Sequence, residues 1–511
     1  MTTTTTRTHN RAPASARLAY CQALALHWMW ACLLSFPARL VPLLRRAGRV
    51  PLRKLPAWLA GHPVYRWSAR LLRRWIRESP AAYRAGHRDL LIDVTVADVI
   101  PQGVRPVGLG AVFVPVWRSF RNDLPGLHLA ADLALAQNCP LIVACSREAR
   151  PTSFLDTLRD RLGAQLIIFD FNQVAPHWIP ELATDGLRLG HHHRKNDAAG
   201  KRNIALSLAA LFGWESVLFL DDDVFPRPGE RPTLDKAGLD LALQALAHHP
   251  GLSMVGWSAT DHPDNSVIGH ARRRLGLPQE VFFGAGALLV RTGGQRHPGT
   301  TFFPNMYNHD WMFTIAQASR AQDPRRSMGI AGEVSQLPYK MFRPTRARSE
   351  EPGDIFGEGT MNLFERFGSG WHHGSTGSYW RAVLRHRLAL NRRLLARVAK
   401  RLEQHDGNAD GTDYELRQVR DSLEAARGAA ERVTPEELQN YLSAWRADDR
   451  YAWPTHLNNL RLRLADQLPP GQSGSDQESD CRRIRFLLTG QHEPAGTPLP
   501  PRPRPVSAMA V

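Results

Sequence analysis

The chain has 511 residues, 43% of them hydrophobic, which allows a sizeable core and is too long for a single compact one. The formal net charge of +17 favours anionic partners such as phosphorylated small molecules, acidic lipid surfaces or nucleic acid. The five cysteines are odd in number and widely spaced, which excludes a disulfide framework and a Cys-x-x-Cys zinc pattern and suits a reducing cytoplasm.

Residues 1–15 open with five threonines and read as disordered, the start of an N-terminal extension over residues 1–105 that is otherwise rich in Arg, Leu and Trp and helical in pattern. Arg7, Arg11 and Arg17 precede an apolar run over residues 18–36, but Gln22 and His27 interrupt it and no small-residue cleavage site follows. This predicts an amphipathic or buried helix rather than a membrane span. No other stretch reaches spanning length.

From residue 106 to 375 short apolar runs alternate with helical patterns, which predicts a mostly parallel sheet wrapped by helices. The runs are Ala111–Val116, Pro140–Cys145, Gln165–Asp170 and Ser216–Leu220. They are apolar almost throughout, as expected where both sheet faces are covered. Helices are predicted around 127–135, 154–162 and 198–212. Residues 376–468 read as helical again. Tyr379–Leu402 forms a basic amphipathic helix there, packed on the catalytic part or laid on an anionic membrane, and Thr434-Pro435-Glu436-Glu437 is a helix start with a capping box. Residues 469–511, rich in Pro, Gly and Ser, are expected to be a disordered tail.

The strongest signal is Leu220-Asp221-Asp222-Asp223-Val224 directly after a buried strand. Ligands of open parallel sheets bind outside the carboxyl ends of strands. Adjacent carboxylates repel unless a cation is present. Alternate residues point the same way, so Asp221 and Asp223 are expected to converge on one divalent metal, Mn or Mg, with Asp222 turned elsewhere. Upstream, Arg194 to Asn203 supplies basic groups at a helix start, where the helix N-terminus adds attraction for a diphosphate. His191, His192 and His193 are consecutive and read as solvated.

The segments Lys201-Arg202-Asn203-Ile204-Ala205-Leu206 and Val217 to Asp223 resemble family 2-type glycosyltransferases of the GT-A fold, a Rossmann-like α/β architecture. Phe283 to Arg291 resembles the glycine-containing strand under the acceptor, and Asn308-His309-Asp310-Trp311-Met312-Phe313 the acidic segment that carries the catalytic base. The likeness spans residues 108–315. It implies transfer of a sugar from a nucleotide-diphospho-sugar to an acceptor, inverting and dependent on a divalent metal. Pro115, Lys201, Arg202, Asn203, Asp221 and Asp222 would hold the donor, Asp221, Asp223 and His373 the metal, and Asp310 would be the base. His373 comes from Trp371-His372-His373-Gly374, a segment suited to supply a late imidazole ligand. The chain has Cys145-Ser146-Arg147 where relatives often place an acid for the nucleobase, and His309 where many have Glu or another acid. Arg343, Arg346 and Arg348 are candidates for an anionic acceptor or a solvated face. The acceptor itself, whether small molecule, glycan or lipid-linked, is not specified. A cytoplasmic protein, peripheral at the inner membrane face if the basic helix lies there, is the expected setting. Two rival readings are a nucleotidyltransferase of similar topology, which would need a Gly-rich loop after the first strand where this chain has Pro115-Val116-Trp117-Arg118-Ser119, and a basic binding protein. No nucleic-acid module is present, so nucleic acid is not an expected partner.

Overall fold

The computed structural model describes residues 90–490, apart from 97–99, 102, 119–123, 150–155, 191–196, 228, 230–231, 260, 262–265, 278–282, 294–298, 406–410 and 466–476. The expectations for residues 1–89, including the run at 18–36, and for His191 to Asn196 lie outside the described residues.

Among the described residues nine strands form one mixed, mostly parallel sheet: β1 (Ile92–Asp93), β2 (Leu109–Val116), β3 (Leu141–Cys145), β4 (Leu166–Asp170), β5 (Ser216–Leu220), β6 (Val224–Pro226), β7 (Met254–Ala259), β8 (Ala287–Arg291) and β9 (Met328–Gln336). Their order is β1-β9-β7-β8-β5-β2-β3-β4, with β6 paired to β9. β8 runs antiparallel to both of its neighbours, and β6 is antiparallel to β9. The α/β class expected from the alternating runs is the class observed. Those runs are strands because they are buried on both sides. Phe113, Val217 and Phe219 enter one core layer, while Val112, Val114, Leu218 and Leu220 enter the other.

Helices α1 (Pro125–Gln137), α2 (Asp156–Leu162) and α4 (Lys236–His248) cover the second face through Leu127, Leu158 and Leu239. Helices α3 (Asp197–Phe212) and α6 (His309–Ser319) cover the first face through Ile204 and Phe313. α5 (Val267–Arg274) joins a third cluster. α7 (Pro344–Phe367) precedes the helical C-terminal region of residues 376–468, which holds α8 (Gly377–His405), α9 (Gly411–Ala430), α10 (Pro435–Ala447) and α11 (Trp453–Leu464). It shares the first core: the Phe356 ring lies flat on Trp380, 5.6 Å between centroids, and Tyr441 meets it edge-on. The basic helix α8 buries Val383, Leu394 and Val398 and turns Arg385, Arg392 and Arg397 to solvent. The expected capping box at Thr434 and Glu437 is present.

Part of the expected disordered tail is ordered. Gln477–Thr489 forms α12, burying Cys481, Ile484 and Leu488 at helical spacing. Its neighbours' Pro and Gly content hides this stripe from composition. Among the described residues no helix is long and apolar enough to cross a membrane.

Candidate functional site

After β2 the chain builds β3 and β4 outward on one side, then returns to place β5 on the other side of β2. The crevice outside the carboxyl ends of β2 and β5 is therefore a topological switch point, where open α/β sheets take their ligands. Asp221, Asp222 and Asp223 follow β5 directly, and Trp117 and Arg118 follow β2. The acidic backbone is clamped from both sides. Asp221 N–H donates to Gly286 O at 2.9 Å, and Gly126 N–H, in the first turn of α1, donates to Asp222 O at 3.1 Å. Gly126 permits this approach because a β-carbon there would collide with the Asp221 carbonyl.

The three carboxylates have three environments. Asp221 is 33% exposed and accepts from Arg202 Nη2 at 2.5 Å. Asp223 is buried, with Oδ2 taking Arg118 Nη2 at 2.5 Å and Oδ1 taking Gln336 Nε2 at 3.1 Å. Asp222 is buried, and its Oδ2 has no hydrogen-bond partner. Burial, reinforced by the Asp223 charge, pushes the Asp222 carboxyl up to about 7. Burial and then the Asp221 charge raise Asp223, against the pull of Arg118.

Asp221 and Asp223 are held in two separate arginine pairs, and among the described residues no three His, Cys, Asp or Glu side chains gather as a metal site. The oxygen donors still suit a hard divalent cation at Asp221. Gly286 leaves that side open, since a β-carbon there would come 3.0 Å from Asp221 Oδ2. Asp223 can join only if Arg118 lets go. The segment of His373 meets α6 at its other end. It is pinned to the C-terminal end of α6, where Trp371 Nε1 donates to Ser319 Oγ at 3.0 Å, whereas Asp310 lies in the first turn of α6. His373 is exposed and packs on His372.

The basic helix start divides into three roles. Lys201 is buried and ties two strand ends together, its Nζ donating to Val116 O at 2.8 Å and to Ser146 Oγ at 2.6 Å. Burial lowers its pKa to about 8, against the opposing charge of Asp197. Asn203 is also structural: Nδ2 donates to Phe303 O at 2.9 Å and Oδ1 accepts Phe303 N–H at 2.7 Å. Both side chains are buried and engaged in these bonds. Arg202, buried as well, donates directly to Asp221 of the acidic edge. It also donates through Nη1 to His309 Nε2 at 2.7 Å and through Nη2 to Ala285 O at 3.3 Å. A guanidinium cannot accept, so His309 Nε2 is the acceptor and Nδ1 carries the proton, donated to Met306 O at 3.1 Å. Pro115 is buried inside β2, paired with Ala144 of β3, one residue short of the crevice.

Asp310 shares a wall with Asp221. Gly284 stands where a β-carbon would come 2.6 Å from Asp310 Oδ2, as Gly286, two residues on, stands beside Asp221 Oδ2. Asp310 is not the helix cap: Asn308 holds that position, and Asp310 Oδ1 accepts Trp311 N–H at 3.0 Å. Burial raises its carboxyl above the ordinary range, with Arg202 and the amides of Trp311 and Ala285 pulling it down. Of the arginine trio, Arg346 is committed to Glu350 and stacks over Tyr339 at 4.5 Å, while Arg343 and Arg348 are exposed.

Sequence reasoning missed Arg118 and Gln336 as partners of the acidic edge, and His309 as a partner of Arg202. Arg118 had a signal, since it follows the carboxyl end of a strand. It also missed the cluster at the end of β3, where Asp197 Oδ2 accepts Ser146 Oγ at 2.6 Å and lies 3.1 Å from Arg147 Nε.

No family model matches the chain, and no curated protein matches it in sequence. Among solved structures it is similar to glucosyl-3-phosphoglycerate synthase from Mycobacterium tuberculosis in complex with Mn2+, UDP-glucose and phosphoglyceric acid, at 14% identity and a TM-score of 0.31 over 50% of this chain and 79% of that one. It is also similar to a mannosyltransferase from Pyrobaculum calidifontis in complex with GDP-Man and Mn2+, at 16% identity and a TM-score of 0.30 over 75% of this chain and 95% of that one. Likeness of this size carries no argument about function, which rests on the site's own residues.

Proposed function

We propose that the chain is a glycosyltransferase that moves a sugar from a nucleotide-diphospho-sugar to an acceptor hydroxyl with inversion. The observation that carries the reading is the placing of Asp221 and Asp310 on one wall of the switch-point crevice, beside Gly286 and Gly284. Arg202 and Arg118 are cations at that edge, able to form charge-assisted hydrogen bonds to a diphosphate in exchange for their carboxylates. Asp221, joined by Asp223 once Arg118 has moved to the phosphates, would hold a divalent metal, which neutralises charge on the leaving diphosphate.

In the reaction the acceptor oxygen bonds to the anomeric carbon while that carbon's bond to the diphosphate oxygen breaks. The hydroxyl proton passes to the Asp310 carboxylate, and nucleoside diphosphate leaves. Attack opposite the leaving group inverts the anomeric centre. A carboxyl raised by burial is a stronger base than an ordinary aspartate, which suits this task.

A thermal-shift screen of UDP-, GDP- and dTDP-sugars with and without Mn tests the reading, because a ligand that binds only the folded chain raises its melting temperature. One sugar nucleotide is expected to stabilise the protein in a Mn-dependent way. No shift with any of them, at concentrations well above a millimolar dissociation constant, sinks the proposal.

A further inference from the structure

Asn308, one residue before His309, adopts φ 60° and ψ 26°, the left-handed conformation that a short polar residue tolerates. It occupies the N-cap of α6, yet its side chain does not cap that helix. Instead Nδ2 donates at 2.8 Å to Asp354 Oδ1, inside α7. Asp354 Oδ2 accepts Arg387 Nη2 of α8, and Arg387 is gripped twice by Glu351, at 2.7 and 2.9 Å. Glu351, Asp354 and Arg387 are each no more than 5% exposed. Burying three charges is costly unless geometry is gained. The packing around the turn is equally specific. At Gly353 a β-carbon would come 2.6 Å from Tyr307 O, and at Gly357 one would come 3.0 Å from Asn308 Cβ. One helical turn apart, these glycines seat the Tyr307–Asn308 turn against α7.

We infer that the buried line Arg387–Asp354–Asn308 is a positioning device for the turn that presents His309 and Asp310. Through it the C-terminal helices set the geometry in which the acceptor hydroxyl is deprotonated. Asn308, Asp354 and Arg387 touch no reacting atom; they act through the backbone of His309 and Asp310, and through His309 on Arg202. The inference rests on the reading of Asp310 as base.

Asn308→Gly is the test variant, because glycine keeps the left-handed turn freely and removes only the side-chain anchor. Amide hydrogen exchange over residues 305–315, donor affinity and turnover are measured on the full chain. Exchange in that segment is expected to quicken at least ten-fold with the rest of the chain unchanged. Turnover should fall at least ten-fold while the donor dissociation constant stays within two-fold. Asp354→Asn, which keeps an oxygen acceptor for Asn308, should lose less, and it replaces the first variant if Asn308→Gly does not fold. Unchanged exchange with unchanged turnover overturns the inference, as does quickened exchange throughout the chain with donor affinity and turnover lost together. If the wild-type chain transfers no sugar from any nucleotide sugar, the functional reading fails instead, and exchange at 305–315 alone decides whether the line holds the turn.

Discussion

Arg118 and Asp223 are 105 residues apart in the chain and joined at 2.5 Å, a pair that bridges the carboxyl ends of β2 and β5 across the switch point. It sets a competition: the guanidinium neutralises the carboxylate that a metal would need. Arg118→Gln should therefore bind Mn about ten-fold more tightly than wild type in the absence of nucleotide, a change of about 1.4 kcal/mol. Asp221→Asn should lose Mn-dependent donor binding. Isothermal titration with Mn, then with donor, measures both. Equal Mn affinity in Arg118→Gln and wild type would show that Asp223 is not a metal position.

Lys201 and Arg202 are neighbours in sequence with opposite expected phenotypes. Arg202→Ala removes a charged donor at the crevice and should weaken donor binding about ten-fold or more, on a contribution of about 1.5–3 kcal/mol for a charge-assisted bond. Lys201→Ala breaks the tie between Val116 and Ser146 and should lower stability by about 1–3 kcal/mol in denaturant titration. If Lys201→Ala is as stable as wild type and loses donor affinity instead, the division of labour is wrong.

Asp310→Asn keeps shape and should bind donor normally while transfer drops by roughly 10²–10⁴-fold. NMR of the product should show an inverted anomeric centre in the wild-type reaction. Gly284→Ala presses on the Asp310 carboxyl and should lower turnover with little change in melting temperature. Near-normal turnover in Asp310→Asn, or a retained configuration, removes Asp310 from the base role.

Asp222 makes stability depend on pH. Its folded carboxyl keeps a proton up to about 7, whereas an unfolded aspartate releases it near 3.9. Between these values the folded state binds more protons, so this group's stabilisation is present below about pH 4 and is lost as pH rises through 7. Asp222→Asn removes the effect. Measured in EDTA, the variant's melting temperature should gain about 2–4 °C on wild type between pH 5 and pH 8. A constant difference across that range would refute the buried-acid assignment.

The central strands were legible because a sheet covered on both faces turns Val112–Val116 and Ser216–Leu220 into continuous apolar runs. β9 was not, since Gly329, Gly332, Glu333 and Gln336 break its pattern. The acidic edge could be placed from sequence, but the partners of its carboxylates could not. Arg118 and Gln336 arrive from distant elements, and nothing local distinguishes Lys201, bonded to Val116 and Ser146, from Arg202, bonded to Asp221. Glu351, Asp354 and Arg387 look like solvated helix charges when read singly. Only the packing of α7 on α8 turns them inward. A Gly-rich, His-bearing segment such as Trp371–Gly374 carries no information about which end of α6 it meets.

The last described helix leaves a mark on how the protein must be made. Arg485 of α12 donates to the carbonyls of Ala164 and Leu166, at 3.3 and 3.0 Å, and Trp178 Nε1 donates to Leu487 O at 3.3 Å. β4 ends the sheet on that side, so its outer carbonyl at Leu166 is satisfied by a residue 319 positions later. A ribosome adding about 5–20 residues per second leaves the Leu166 carbonyl without its Arg485 partner for roughly 15–60 s. During that interval the nascent chain offers an open strand to any neighbour.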